Sequence, residues 1–262
     1  MSYGGLLLIL AALPVILILL FVYHKDKNKE PMRLLIRLFI AGILSCILVL
    51  ILSSILEVFF PFMRGSLASK SFFDILLYAF FGVAIVEEFC KWLMTYIVGY
   101  NNREFDELYD GIVYAIFVSL GFAFIENILY VINTSSVNTA LLRAVSAVPS
   151  HACDAIFMGY YLSLAKQYSL RKRKDLEKKN IILSLAVPTI LHGIYDFCLM
   201  SGQTILITVF IVFVVFLYIA SIKKLKLLAK NNKRIKFKNK FCHVCGKAVT
   251  GEFCSKCGTR QY

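Results

Sequence analysis

The stretch Gly82-Val-Ala-Ile-Val-Glu87-Glu88-Phe-Cys90-Lys91-Trp92-Leu-Met-Thr-Tyr-Ile-Val98 sets two acids and a base inside an apolar run that extends from about residue 72 to 100. Working outward, other apolar runs carry Glu126-Asn127, His151-Ala-Cys-Asp154 and His192-Gly-Ile-Tyr-Asp196. A charge at the centre of a membrane helix costs roughly 3 kcal/mol, so Glu87, Glu88, Lys91, Glu126 and Asp196 left unpaired would cost on the order of 15 kcal/mol. That reaches or exceeds a typical folding free energy. These groups must neutralise one another, bind a metal or line a wet cavity, and each outcome assembles a site.

Apolar residues form 59% of the 262, only 17% are charged, and the mean hydropathy is +0.74. The composition is that of an all-α polytopic membrane protein. Stretches near 20 residues long with few charges predict about seven transmembrane helices, at about 3–23, 34–60, 72–100, 111–132, 139–166, 181–200 and 203–222. Lys25, Lys27, Lys29, Arg33 and Arg37 fill the first connection. Arg171, Lys172, Arg173, Lys174, Lys178 and Lys179 fill the fifth, and lysines recur from Lys223 onward. Basic connections alternate with connections that have few or no basic residues, which predicts a multi-pass plasma-membrane protein with its N-terminus outside and its C-terminus in the cytosol. The net charge of +13 then reflects contact with anionic lipid of the bilayer, and no nucleic-acid partner is expected.

Three domains are expected: a transmembrane domain over 1–222, a basic juxtamembrane linker over 223–240, and a small cytosolic zinc ribbon over 241–262. The ribbon rests on Cys242-x-x-Cys245-Gly and Cys254-x-x-Cys257-Gly, four thiolates at the spacing of a structural zinc site. His243 lies inside one knuckle, but four cysteines already close the shell. Paired disulfides would need an oxidising compartment, which a cytosolic tail lacks.

Within the apolar runs, Lys91 stands four residues after Glu87 and three after Glu88, so local charge sharing is built into one helix. Two carboxylates against one ammonium leave a surplus negative charge, and adjacent helical residues point about 100° apart. One acid can face a water while the other holds a neighbouring group; the spacing leaves open which does which. His151 follows Pro149, and His192 follows Pro188; a proline inside a helix kinks it and opens space beside the imidazole. Asp154 and Asp196, at i+3 and i+4 from the two histidines, are placed to orient the rings. Carboxylates with two imidazoles in a dry cavity supply what peptide hydrolysis needs, with a metal such as zinc or with a Glu/His pair alone activating the water. Neither Gly-x-Ser-x-Gly nor His-Glu-x-x-His occurs.

Taken in order, Glu87-Glu88-x-x-Lys91, Phe122-x-x-x-Glu126-Asn127, His151 with Gly159-Tyr160, and Leu191-His192-Gly-x-Tyr195-Asp196 resemble the motifs of PrsW-type intramembrane proteases. That family is related to the CAAX prenyl endopeptidases and to bacteriocin-immunity proteins. The resemblance implies a multi-helix membrane fold and cleavage of single-pass, membrane-anchored regulatory proteins of the anti-sigma-factor type. It implies that Glu87 and Glu88 are the essential acids, with Lys91, Glu126, Asn127, His151, His192 and Asp196 completing or supporting the site. Glu126, His151 and His192 are the candidate ligands of a catalytic divalent metal. The CAAX relatives carry a histidine where this chain has Glu126, which leaves the metal open. The ribbon, lying outside the resemblance, would dock a cytosolic partner. The competing readings are a non-catalytic membrane scaffold, a proton or ion transporter, and a prenyl-protein endopeptidase.

Overall fold

The computed structural model describes residues 3–230, 232, 234–235, 240–242, 244–249 and 253–259; His243 and residues 231, 233 and 236–239 of the expected linker lie outside them, whereas 223–230 of that linker continue the last helix, which corrects the boundary expected at 222. Nine α-helices follow in chain order among the described residues. The first two are α1 (Tyr3–Lys25) and α2 (Met32–Phe59). Then come the short α3 (Phe72–Leu77) and α4 (Ile85–Thr95), followed by α5 (Asp110–Thr134) and α6 (Val137–Val145). The last three are α7 (Ala147–Leu170), α8 (Lys174–Met200) and α9 (Thr204–Lys230).

Five of these, α1, α2, α5, α8 and α9, are long and apolar enough to cross a membrane, which makes this a multi-pass membrane protein and corrects the expectation of seven such helices. The runs at 72–100 and 139–166 fall short for physical reasons. The first is broken by wide π-helical turns at Tyr78–Ala84 and Tyr96–Tyr100 on either side of α4, a distortion that often marks functional sites. The second divides at Ser146 into α6 and α7, and the latter spends its apolarity on His151, Asp154 and Lys166. Pro149 therefore does not kink a helix. It is the third residue of α7, where backbone N–H groups have no intrahelical partner in any case. The Tyr218 hydroxyl lies 2.8 and 2.9 Å from the carbonyls of Val145 and Ser146 and caps this break. Pro188, by contrast, is inside α8.

The core is organised around α5, in which every residue from Asp110 to Ala123 is buried. Small residues let its backbone touch its neighbours. A Cβ added at Gly159 of α7 would strike the Gly111 carbonyl of α5, and one added at Gly42 of α2 would strike the Val118 carbonyl. Substituting Gly159 would push apart α5 and α7, and substituting Gly42 would push α2 from α5. On the outside, apolar side chains such as Leu8, Ile36, Ile205, Val212 and Phe216 are exposed, as expected of a lipid-facing shell.

One end of the bundle gathers the basic connections and, beneath them, buried acids. The Tyr114 hydroxyl donates to Glu30 at 2.8 Å, and the backbone N–H groups of Asp106 and Glu107 donate to Asp110 at 2.9 and 2.7 Å. The chain leaving α9 is pinned here: Ile235 N–H donates to the Asp106 carbonyl at 2.7 Å, and Asn232 accepts from Tyr109 N–H at 3.1 Å. Burial pushes Glu30 up to about 7 and Asp26 up to about 6. An acid whose folded pKa lies above its unfolded value of about 4 holds more protons in the folded state, so stability falls as pH rises between the two values. Thermal unfolding in micelles should therefore show stability declining from pH 5 to pH 8, with a shallower decline in Glu30→Gln; identical slopes would refute this assignment.

Candidate active site

Lys91 is fully buried, and its ammonium has three partners: Glu88 Oε1 at 2.8 Å, Glu87 Oε2 at 3.2 Å and His151 Nδ1 at 3.2 Å. The Phe122 ring covers it with its centroid 4.2 Å away. An ammonium can only donate, so His151 accepts at Nδ1 and carries its proton on Nε2, which lies 2.9 Å from Glu126 Oε2. His192 meets acids at both ring nitrogens, Glu88 Oε1 at 2.9 Å from Nδ1 and Asp196 Oδ2 at 3.3 Å from Nε2. The two imidazoles stand edge to face, 5.4 Å between centroids. Residues from α4, α5, α7 and α8, distant in sequence, thus form one polar cluster inside an apolar bundle.

A cavity of about 960 Å³ opens beside it, lined by Glu87, Glu126, His151, Asp154, His192 and Asp196 among others. Glu88 and Lys91 are sealed behind this lining at 0% exposure. The adjacent acids are thereby distinguished: Glu87 reaches the cavity, while Glu88 holds Lys91 and His192 from within. Asn127 also lies off the cavity. Its amide donates to the Ala11 carbonyl of α1 at 2.8 Å and accepts from Arg143 Nε at 2.8 Å, so it ties helices together. Asp154 departs from its expected role beside His151, for its Oδ1 is buried without a hydrogen-bond partner.

Arg143 of α6 joins this cluster although it belongs to none of the four motifs. Its Nη2 lies 2.9 Å from Glu126 Oε2, the oxygen that also meets His151. It was detectable as the only lysine or arginine between Arg103 and Lys166.

Two groups of side chains here have donor atoms close enough to share a metal ion: Glu88, His151, Asp154 and His192, and separately Glu87, Glu126 and His151. His151 belongs to both, whereas Glu126 and His192, paired in the sequence expectation, fall in different groups. The chemistry suits a divalent cation. Glu88 Oε2 and Asp154 Oδ1 are buried oxygens without partners. Five carboxylates (Glu87, Glu88, Glu126, Asp154, Asp196) face only two permanent cations, Lys91 and Arg143, leaving surplus negative charge in a medium that penalises it.

In the tail, β1 (Lys240–Phe241) pairs antiparallel with β2 (Ala248–Val249), and the sulfurs of Cys242, Cys245, Cys254 and Cys257 converge. Cys242 and Cys257 are 3.4 Å apart and Cys245 and Cys254 3.5 Å, beyond a disulfide bond and near the roughly 3.8 Å edge of a zinc–thiolate tetrahedron. Both knuckles close alike. Gly246 N–H donates to the Cys242 carbonyl and Gly258 N–H to that of Cys254, each at 2.8 Å, with φ of 66° and 69° that favour glycine. Hydrogen bonds from Thr259, then from Cys242, bring the Cys257 thiol down to about 6, toward the thiolate that metals bind.

The family model described as PrsW family intramembrane metalloprotease matches residues 30–221. The chain is 42% identical to Protease PrsW of Oceanobacillus iheyensis over 83% of its own length and 94% of that protein. It is 36% identical to Protease PrsW of Bacillus subtilis over 81% and 91%, and 30% identical to Protease PrsW of Clostridioides difficile over 89% and 95%. No solved structure matches.

Removing one partner from a buried ionic cluster leaves an uncompensated charge, at a cost of about 3–5 kcal/mol. Lys91→Met should lower unfolding stability in micelles by about that amount, with Glu88→Gln in the same chain recovering part of it. A Lys91→Met protein as stable as the parent would show that the ammonium does not balance these acids.

Proposed function

The chain belongs to the PrsW family of intramembrane metalloproteases, and on that premise we propose that it hydrolyses a peptide bond of a single-pass, membrane-anchored regulatory protein of the anti-sigma-factor type. It is an enzyme, a metallopeptidase, in a membrane setting. The observation that carries the reading is the division of labour between the adjacent acids, Glu87 open to the cavity and Glu88 sealed behind it with Lys91.

Glu87 is placed to take the proton of the attacking water and return it to the leaving amine. His192, held at both nitrogens by Glu88 and Asp196, keeps a fixed orientation on the cavity wall. His151, with Lys91 behind it and Glu126 in front, supplies the facing wall. Glu88, His151, Asp154 and His192 would hold a divalent metal through the unpartnered oxygens of Glu88 and Asp154 and one ring nitrogen of each histidine, which would exchange its present hydrogen-bond partner for the ion. A bound ion of that kind acidifies water and polarises a carbonyl.

The depth of the site supports cleavage toward the outer leaflet. Glu126 and His192 each lie eight residues, or about 12 Å, from the ends of α5 and α8 remote from the basic connections. With those connections cytosolic, the cut falls in the outer half of the bilayer, as in the first step of a regulated cascade. In this reading the N-terminus is outside, the segment from α3 to α4 and the helix α7 complete seven crossings, and residues 1–222 form the protease domain. The stretch 223–240, whose first eight residues extend α9, leads to the tail, and 241–262 is a cytosolic zinc ribbon that docks a partner.

The test compares membrane-protein fragments in cells carrying the intact protein, Glu87→Gln or Glu88→Gln at matched membrane levels. The expected result is a fragment reduced about 10²–10⁴-fold in the Glu87→Gln cells, the usual contribution of a general base, and reduced also with Glu88→Gln. Identical fragment profiles in all three would sink the proteolytic reading.

A further inference from the structure

Among the described residues Arg143 is the sole lysine or arginine on the cavity wall, and it comes from α6, a nine-residue helix that carries none of the residues discussed as catalytic. Its side chain is held at three points. Nη2 contacts Glu126 Oε2 at 2.9 Å, Nε donates to Asn127 Oδ1 at 2.8 Å, and the guanidinium stacks on Tyr130 with 3.9 Å to the ring centroid. Asn127 is in turn fixed to the Ala11 carbonyl of α1. The planar fork is thus anchored before it reaches the acid.

Glu126 Oε2 sits between two donors, the arginine and His151 Nε2, both at 2.9 Å. An acid held by a neutral imidazole alone could rotate about its side-chain bonds toward the open cavity. The arginine removes that freedom, and because His151 is shared by both candidate ligand groups, whatever fixes Glu126 also fixes the ring they have in common. We infer that Arg143 is a positioning residue of the active site, holding Glu126 against His151 from α6 and making that short helix a working part of the enzyme. This rests on the proteolytic reading above. The bland alternative is a clamp that fastens α6 to α5, with no bearing on the chemical step.

The two predict different kinetics. The experiment measures kcat and KM for release of the fragment identified above, with purified full-length protein in liposomes. It covers the parent, Arg143→Gln, Arg143→Lys, Glu126→Gln and the Arg143→Gln/Glu126→Gln double variant. Partners that orient such side chains are typically worth 10–100-fold. Arg143→Gln should lower kcat by about that factor with KM unchanged, and should add nothing in the Glu126→Gln background, because residues acting through one contact are not additive. Arg143→Lys should recover part of the loss, since lysine supplies the charge without the fork. Should the glutamine variant fail to fold, judged by membrane level and thermal midpoint, the lysine variant carries the same cycle. Parental kcat in Arg143→Gln, or a loss that multiplies with that of Glu126→Gln, would overturn the inference while leaving proteolysis intact. A parent protein that releases no fragment would instead overturn the proteolytic reading beneath it.

Discussion

The ammonium of Lys91 is the pivot of this structure. A charge enclosed by protein within an apolar bundle survives only if opposite charges and hydrogen-bond partners meet it, and Lys91 finds the charges in Glu87 and Glu88 on its own helix and a further acceptor in His151 on another. Each partner then imposes a further requirement. Glu88 reaches His192 on α8, His192 reaches Asp196, and His151 reaches Glu126 on α5. The electrostatic need of one buried cation thereby fixes how four helices face one another, and it does so around a cavity. Stability and chemistry draw on the same contacts.

The backbone accommodates this arrangement by giving up regularity. The π-helical turns on either side of α4 shift the register of the helix that carries both acids, and the break at Ser146 lets α7 begin only a few residues before His151. Close backbone contacts, Gly42 with Val118 and Gly159 with Gly111, bring α2 and α7 against α5 with no side chain between. Irregular backbone in a membrane protein is tolerated where it is buried or lines a cavity, and here it lies beside the cavity.

Local spacing made much of the site legible. The i+3 and i+4 relations of Lys91 to its acids and of Asp196 to His192 can be read without a structure, because they follow from helical geometry alone. The ordered motifs added the family. Contacts between helices were out of reach, since nothing in the spacing of Glu88 and His192, 104 positions apart, says that they touch. The same holds for Arg143, whose partners sit on another helix. Asn127 shows the same limit: its place beside Glu126 does not reveal that its amide faces α1 and Arg143. The seven apolar runs were over-read as seven uniform helices because mean hydropathy is blind to π turns and to a helix break between apolar residues. The cysteine knuckles were legible because metal ligation demands a spacing that few other structures need.

The central claim, that this buried cluster hydrolyses a peptide bond, is tested most directly by reconstituting the purified protein with its membrane-anchored substrate in liposomes prepared in ¹⁸O-labelled water. Mass spectrometry of the released fragment should find one heavy oxygen on the new carboxyl terminus. A folded, inserted protein that leaves the substrate whole would contradict the account.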